Sequence, residues 1–243
     1  MKRFFAPPEI AARDEFDLPE MEGHHAVRVL RCRVGEQVHV LDGAGSVLVC
    51  EVVNATRSTL GVRVSTRNSE PSPMRELVLA QAILKGKAMD LVVEKATELG
   101  ATRIIPVISD HSVAIPDGVK QGGKGEKWRN TTLATIKQCG RTWLPRIEPP
   151  NSMDKILAEQ DRVYELVASL QGAVEPLTEI ATELPPGRPV RVWIGPEGDF
   201  SEVEYGQLRQ AGAQSVSLSD AVLRSETAAI CAVSCLQSPQ MRR

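Results

Sequence analysis

Hydrophobic and polar residues alternate in short runs through the first third of the chain. Apolar residues take every second position, with few exceptions, at residues 38–41, 47–53 and 60–64, and the turn sequence at residues 42–45 contains Asp42, Gly43 and Gly45. Alternation with a period of two is typical of β-strands with one buried face. The pattern predicts a small β-sheet or β-barrel domain.

The rest of the chain alternates between short apolar runs and segments with helical spacing. Residues 77–82 and 103–107 are compact apolar runs, and residues 88–99 between them place their apolar side chains on one helical face. This alternation predicts an α/β domain with a parallel sheet. Further predicted elements are a glycine-rich loop at 122–125, a helix at 126–138, and central strands at 163–168 and 190–194.

A short segment between these two patterns has the composition of a linker. Residues 69–73 contain Pro71 and Pro73 among polar neighbours, and prolines in such company mark loops and boundaries. We therefore expect a β-rich domain over residues 1–70 and an α/β domain over residues 71–243.

Composition favours a globular protein of the cytoplasm. The 243 residues are 42% hydrophobic, with no run near the roughly 18 apolar residues of a membrane span. The start of the chain lacks the apolar core of a signal peptide. The five cysteines form no C-x-x-C pair and the four histidines no zinc-ligand pattern, so we expect no membrane association and no metal.

Charge alone says little about a nucleic-acid partner. The net charge is −2, which argues against a strongly basic binding protein, although basic residues outnumber acidic ones between residues 71 and 150. Ordinary scatter of surface charge explains that excess equally well. Neither a Walker A sequence nor a G-x-G-x-x-G sequence occurs, so the usual signatures of phosphate and dinucleotide binding are missing.

The most informative motif follows the strand predicted at residues 190–194. Gly195 and Gly198 bracket Pro196, and Ser201 with Glu204 forms the S-x-x-E sequence of a capping box. Glycines permit backbone angles closed to other residues, and proline stiffens a turn. The motif predicts a strand, a tight loop and a helix start in close succession, which either hold a ligand or form a purely structural turn.

Several motifs in order resemble the ribosomal RNA small subunit methyltransferase E family, a branch of the SPOUT class. The resemblance extends over nearly the whole chain, because the residues at 3–5 and 24–31 also fit the N-terminal domain of that family. The motifs that carry it are Gly195-Pro196-Glu197-Gly198, the run from Leu218 to Thr227, Glu94-Lys95-Ala96-Thr97-Glu98-Leu99-Gly100 and Gln138-Cys139-Gly140-Arg141.

The resemblance implies both a fold and an activity. The expected fold is a small PUA-like β-barrel followed by a SPOUT α/β domain with a C-terminal trefoil knot. The expected activity is S-adenosylmethionine-dependent methylation of N3 of a uridine in 16S ribosomal RNA, within the 30S subunit. The family also implies a homodimer formed through the SPOUT domain, and an apolar C-terminal helix at residues 228–236 is compatible with one.

The same resemblance supplies candidate site residues. Arg224 is expected to contact the target base or a phosphate, and Glu226 to take the imide proton of the uracil. Glu226 has an alternative role as a cap or tether of the helix that begins there. The expected cofactor-binding residues are Ala168, Ser169, Gly195, Pro196, Glu197, Gly198, Leu218, Leu223 and Thr227.

RNA contact is expected from basic side chains in both domains. Each of them alone is more typical of a solvated surface charge, but phosphate contacts dominate RNA affinity and the family is thought to grip RNA with its N-terminal domain. Aromatic residues make up only 4% of the chain, so base stacking is not the main device. The expected RNA-binding residues are Lys2, Arg3, Arg28, Arg31, Arg33, Lys85, Lys87 and Arg141.

Three departures from the family pattern lie in the cofactor loops. Asp199 stands where a third glycine is common, Ser219-Asp220 where a glycine is usual, and Ser225 where a threonine is usual. They are the best support for one alternative, a non-catalytic RNA-binding or assembly factor of the same fold. A second alternative is a SPOUT enzyme acting on another RNA, such as transfer RNA, or on a ribose hydroxyl.

Overall fold

The computed structural model describes residues 1–112, 123–159, 162–171, 174–185 and 187–238. The chain divides into two compact units. The first unit consists of Met1–Ser72 and Leu133–Leu144, and the second of Pro73–Thr132 and Pro145–Arg243. Each unit has its own sheet. No helix in the described part of the chain is long and apolar enough to cross a membrane.

The first unit is built on a five-stranded sheet with strand order β1-β3-β4-β5-β2. Strands β3, β4 and β5 form an antiparallel meander, β2 pairs antiparallel with β5, and β1 pairs parallel with β3. The elements are β1 Arg3–Phe5, α1 Pro8–Ala11, β2 Glu15–Asp17, α2 Glu20–Arg28, β3 Gln37–Leu41, β4 Ser46–Ala55 and β5 Leu60–Ser69.

The core of this unit follows the alternation seen in the sequence. Val38 and Val40 on β3 and Leu48, Cys50 and Val52 on β4 are fully buried. Most of their neighbours along the strands are more exposed, as expected for strands with one buried face, although Leu41 at the end of β3 is also buried. The strands predicted at residues 38–41, 47–53 and 60–64 are therefore confirmed, and the last two are longer than the prediction.

The turn between β3 and β4 accepts only a glycine at its last residue, Gly45. Asp42 Oδ1 accepts hydrogen bonds from the backbone N–H groups of Ala44 and Ser46, both at 2.8 Å. Gly45 has a φ of +99° and lies under the Trp143 ring, where an added Cβ would be 2.5 Å from Cζ2. Both the backbone angle and the ring exclude a larger residue.

Replacing Gly45 by alanine is expected to destabilise the first unit by about 3 kcal/mol, since it combines a left-handed residue with an overpacked contact. Gly35→Ala is the matched control because Gly35 has a φ of +84° with no atom within 4 Å of an added Cβ. The control is expected to cost only about 1 kcal/mol. Urea unfolding of both variants measures the difference, and equal losses would show that Trp143 imposes no steric limit.

The second unit is built on an all-parallel sheet of eight strands with the order β11-β13-β10-β12-β6-β7-β8, in which β9 also pairs with β7. Its strands are β6 Leu77–Ala82, β7 Arg103–Ile108, β8 Arg146–Ile147, β9 Asn151–Ser152, β10 Tyr164–Ala168, β11 Glu175–Pro176, β12 Val190–Ile194 and β13 Gln214–Ser217. The helices beyond the first sheet are α3 Ala88–Leu99, α4 Gly123–Cys139, α5 Met153–Ala158, α6 Leu177–Glu183, α7 Glu202–Gln210 and α8 Ser225–Gln237.

Both faces of this sheet are covered. All six residues of β6 are buried. Leu77 and Leu79 face one apolar cluster with α3 and α8, while Val78 and Ala80 face a second cluster with α5 and α7. Burial on both faces is typical of parallel sheets and explains the unbroken apolar runs in the sequence. The predicted α/β domain is confirmed, whereas the trefoil knot stays a prediction.

One local prediction was wrong. The glycine-rich loop predicted at residues 122–125 is helical from residue 123, because α4 begins at Gly123 rather than at Glu126. Gly122 lies outside the described residues. The first turn of a helix leaves its N–H groups unpaired in any case, so glycine is less harmful there than in a helix interior.

Candidate functional site

A cavity of about 520 Å³ opens in the second unit at the carboxyl ends of β10, β12 and β13. Three segments form most of its wall: residues 168–170 at the end of β10, residues 194–197 with Asp199 at the end of β12, and residues 216–219 and 221–226 from the end of β13 to the start of α8. Ligands of open parallel sheets bind at this edge, outside the carboxyl ends of the strands. The fold therefore places the two unusual loops of the sequence in one ligand-sized site.

The loop after β12 turns back on itself at Asp199. Asp199 has a φ of +60°, a conformation that favours glycine but that aspartate tolerates better than most residues. Its N–H donates to the carbonyl oxygen of Pro196 at 3.0 Å, and its Oδ1 accepts from the N–H of Phe200 at 2.8 Å. Gly195 must be a glycine, since an added Cβ would lie 2.9 Å from Asp199 Oδ1.

A buried tyrosine holds the Asp199 carboxylate from behind the loop. The Tyr205 hydroxyl donates to Asp199 Oδ1 at 2.9 Å and lies 3.0 Å from Oδ2. Burial, with the negative charge of Asp199 beside it, raises the pKa of Tyr205 to about 12. The hydroxyl therefore stays protonated at neutral pH and remains a donor. A glycine is common at this position in the family. Here an aspartate takes its place, and hydrogen bonds from Phe200 and Tyr205 hold its side chain.

The predicted capping box at the start of α7 is confirmed. Ser201 Oγ accepts from the N–H of Glu204, and the Glu204 carboxylate accepts from the N–H of Ser201. Glu204 also accepts from the Ser109 hydroxyl and the Asp110 N–H, both at 3.1 Å. His111 Nδ1 lies 2.9 Å from the carbonyl oxygen of Asp199. The segment after β7 thus braces the cavity loop, a contact between residues about 90 positions apart that no local pattern could predict.

A chain of hydrogen bonds joins the two cavity loops. The side-chain amide of Gln81, at the end of β6, donates to Ser225 Oγ at 3.0 Å and to the carbonyl oxygen of Ala82 at 2.9 Å. The Ser225 hydroxyl in turn donates to the carbonyl oxygen of Gly195 at 2.5 Å. The threonine that is usual at this position in the family also carries a side-chain hydroxyl. Serine at position 225 therefore keeps the hydroxyl that bonds to Gly195.

The other departure, Ser219-Asp220, also requires no glycine. Neither residue has a positive φ, and Ser219 Oγ accepts from the N–H of Ala221 at 3.1 Å. The serine side chain therefore closes this turn locally.

Two ionisable side chains flank Ser225 at the cavity. Arg224 is the N-cap residue of α8 and is exposed, and Glu226 in the first turn is partly buried; both line the cavity. The helix has no side-chain cap. Within the described residues no hydrogen bond or ion pair engages the Glu226 carboxylate. Its place in the first turn of α8 also fits the alternative role at the start of that helix, where a negative charge is favourable.

Seven of the nine expected cofactor-binding residues line the cavity: Ala168, Ser169, Gly195, Pro196, Glu197, Leu218 and Leu223. The structure places the other two outside the lining. Gly198 faces His111, whose Cβ lies 3.3 Å from the position of an added Cβ, and Thr227 is exposed on α8. Lining residues that the sequence analysis did not select include Asp199, Ser217 and Ser225. The Gly-Pro-Glu-Gly motif pointed to this loop without showing which residues face inward.

The two basic residues expected to bind RNA in the second unit lie beside the cavity. Lys85 and Lys87 are exposed in the loop between β6 and α3, immediately before the lining residue Ala88. The N–H of Lys85 lies 3.4 Å from Glu197 Oε1, and this contact ties the basic loop to the cavity wall.

The expected RNA-binding residues of the first unit differ in how far they are engaged within the fold. Lys2 forms an ion pair with Glu36 at 2.6 Å, and Arg3 donates to the carbonyl oxygens of Lys137 and Gln138 near the end of α4. These two contacts stabilise the fold. Arg141 is partly buried and has an interaction partner. Arg28, Arg31 and Arg33 are exposed in the described structure.

No group of three or more histidine, cysteine, aspartate or glutamate side chains in the described ranges is arranged to hold a metal ion.

Family models match both units of the chain. Residues 70–237 match a family described as an RNA methyltransferase domain, and residues 18–65 match an RNA methyltransferase PUA domain. These two matches, together with the cavity at the carboxyl edge of the parallel sheet, define an RNA methyltransferase.

Individual relatives narrow this class. A ribosomal RNA small subunit methyltransferase E from Mycobacterium bovis is 34% identical over 218 residues, which cover 87% of this chain and 82% of the relative. A crystal structure of the enzyme of that name from Neisseria gonorrhoeae, bound to S-adenosyl methionine, has a TM-score of 0.86 at 27% identity and covers 98% of both chains. The chain belongs to the ribosomal RNA small subunit methyltransferase E family, as its motifs indicated.

A further solved structure is similar over its whole length. It is a methyltransferase from Legionella pneumophila in complex with the bound cofactor SAM, with a TM-score of 0.88 and 29% identity, covering 98% of this chain and 97% of that chain.

Proposed function

We propose that this chain is an S-adenosylmethionine-dependent methyltransferase that modifies N3 of a uridine in 16S ribosomal RNA. The observation that carries the proposal is the cavity at the carboxyl edge of the second sheet, lined by the two motif loops of the family. Similar structures from Legionella pneumophila and Neisseria gonorrhoeae hold this cofactor. We extend that ligand to the present cavity.

The cavity suits such a cofactor in size and chemistry. Its volume of about 520 Å³ is typical of small-molecule sites. Ile194 and Leu218 supply apolar wall, and the chain around Gly195 brings backbone polar groups close to the lumen. When bound, the cofactor supplies an electrophilic methyl group on a positively charged sulfur. The protein has to align the acceptor with that methyl group and exclude water.

Arg224 and Glu226 are the groups we assign to the acceptor base. N3 of uracil carries an imide proton that must leave before or during methyl transfer. Glu226 takes this proton, and Arg224 stabilises the negative charge that develops on the uracil. The Ser225 hydroxyl between them is committed to Gly195 and serves to hold the two loops together.

The link through Ser225 gives a test of the cavity. Ser225→Ala is expected to weaken S-adenosylmethionine binding about tenfold, since it removes the bond to Gly195 and leaves the Gln81 amide with one partner fewer. Ser225→Thr, which keeps the hydroxyl, is expected to bind within about twofold of the original chain. Isothermal titration measures both dissociation constants. If the alanine variant bound S-adenosylmethionine as tightly as the original chain, the Ser225 hydroxyl would have no role in shaping the cofactor cavity.

We propose that basic side chains of each unit contact the RNA substrate. Lys85 and Lys87 beside the cavity, and Arg28, Arg31 and Arg33 on the first unit, are exposed and suited to phosphate contacts. We further propose that the substrate is the 30S subunit in the cytoplasm, and that the enzyme acts as a homodimer through its second unit, as the family resemblance implies.

Transfer of labelled methyl groups distinguishes this proposal from its alternatives. The chain is incubated with labelled S-adenosylmethionine and with unmodified 30S subunits, naked 16S RNA or transfer RNA. Label is expected in the 30S subunits. Label confined to transfer RNA would move the substrate to another RNA, while binding to subunits without any transfer would favour a non-catalytic assembly factor. The hydrogen bonds that hold Asp199 and Ser225 in the cavity loops argue against a non-catalytic factor, because they show that these two departures keep the loops ordered.

A further inference from the structure

Of the described residues that line the cavity, Glu197, Asp199 and Glu226 carry carboxylates. Glu197 is exposed and accepts from the Lys85 N–H, and Glu226 is the group assigned to the uracil proton. Asp199 differs from both in how firmly it is held. Its carboxylate is fixed by the Phe200 N–H at 2.8 Å and the Tyr205 hydroxyl at 2.9 Å.

This carboxylate is built into the wall against the loop backbone. Asp199 Oδ1 lies where it would meet a Cβ on Gly195 at 2.9 Å, and Gly195 itself lines the cavity. The negative charge is therefore close to the lumen. Asp199 adopts an unfavourable φ of +60° at this position. Unfavourable backbone angles that are held in place by surrounding hydrogen bonds are concentrated at functional sites.

We propose that Asp199 is a cofactor-specificity residue that favours the positively charged sulfonium of S-adenosylmethionine over the neutral thioether of the product, S-adenosylhomocysteine. The inference rests on the proposed function. Methyl transfer moves the methyl group from sulfur to N3, the imide proton leaves to Glu226, and the sulfur keeps the electron pair and loses its charge. With the sulfur bound beside this loop, the fixed carboxylate would attract the substrate form and gain nothing from the product form.

The consequence is an electrostatic contribution to turnover. Both forms of the cofactor carry the same adenosine, carboxylate and ammonium groups, so contacts to those groups cannot separate them. The charge on the sulfur can separate the two forms, because the attraction between the sulfonium and the carboxylate disappears when the methyl group leaves. Asp199 therefore promotes exchange of product for fresh cofactor.

Asp199→Asn is the variant that tests this. Asparagine tolerates the left-handed backbone, keeps an oxygen for the Tyr205 and Phe200 donors, and removes only the charge. The full chain is titrated with S-adenosylmethionine and with S-adenosylhomocysteine. The dissociation constant for S-adenosylmethionine is expected to rise about tenfold more than that for S-adenosylhomocysteine.

Tyr205→Phe is the matched control. It removes the hydrogen bond but leaves the carboxylate charged, so the ratio of the two dissociation constants is expected to stay within about twofold of the original. An equal change for both ligands in Asp199→Asn, or no change, would overturn the role of Asp199 while leaving the proposed function intact. Failure of the original chain to bind either ligand would overturn both.

Discussion

Replacing Arg224 by alanine is expected to lower kcat for methyl transfer to 30S subunits by about a hundred- to a thousandfold. Arg224 is exposed at the mouth of the cavity and begins α8 beside Glu226. Removing it takes away the cation that stabilises the uracil anion as the proton leaves. Because we assign this charge to the acceptor base rather than to the cofactor, the dissociation constant of the cofactor is expected to change less than threefold. Single-turnover methylation and isothermal titration measure the two quantities separately.

Two further variants control for the Arg224 result. Arg224→Lys keeps a positive charge with different geometry and is expected to retain part of the rate. Arg209→Ala removes another exposed arginine of the second unit, at the end of α7, and is expected to leave kcat unchanged. A rate for Arg224→Ala within threefold of the original would contradict the role of Arg224 at the acceptor base.

Replacing Glu165 by alanine is expected to destabilise the second unit by about 3–5 kcal/mol. Arg191 on β12 donates from Nε and Nη2 to the carboxylate of Glu165 on the neighbouring strand β10, and Trp193 Nε1 donates to Glu165 Oε2 at 2.7 Å. The side chains of Arg191 and Glu165 are only 2% and 9% exposed. The variant therefore leaves a buried guanidinium without this counter-charge, and urea unfolding measures the loss.

An exposed ion pair in the first unit provides the control. Arg63 Nε lies 2.9 Å from Glu15 Oε2, with both side chains more than half exposed. Glu15→Ala is expected to change stability by no more than about 1 kcal/mol, because water screens such a pair. If Glu165→Ala were as mild as Glu15→Ala, the buried pair would not stabilise the sheet.

Sequence periodicity predicted the elements that are long enough to show a pattern. The helix Ala88–Leu99 was predicted at the residues where it is found, and Ser201 with Glu204 marked the start of α7 correctly. The short strands β1, β2, β8, β9 and β11 span only two or three residues. A period cannot be detected over so few positions, and pairing with distant strands is what makes these segments extended.

The site was predicted less completely than the fold. The motif at Gly195 located the cavity loop, but only the structure shows that the left-handed backbone falls at Asp199 and that Gly198 faces away. Gln81 reaches Ser225 across 144 positions, and such a long-range contact leaves no local signal. The cofactor and the acceptor atom came from the family resemblance, since neither periodicity nor composition identifies a ligand.

The central claim is that this chain methylates N3 of a uridine in small-subunit RNA. The most direct measurement is mass spectrometry of nucleosides from 16S RNA of 30S subunits, prepared from a strain lacking the protein and treated with the chain and S-adenosylmethionine. We expect 3-methyluridine in the treated subunits and none in untreated ones. Methylation of a different nucleoside, or treated RNA without 3-methyluridine, would contradict it.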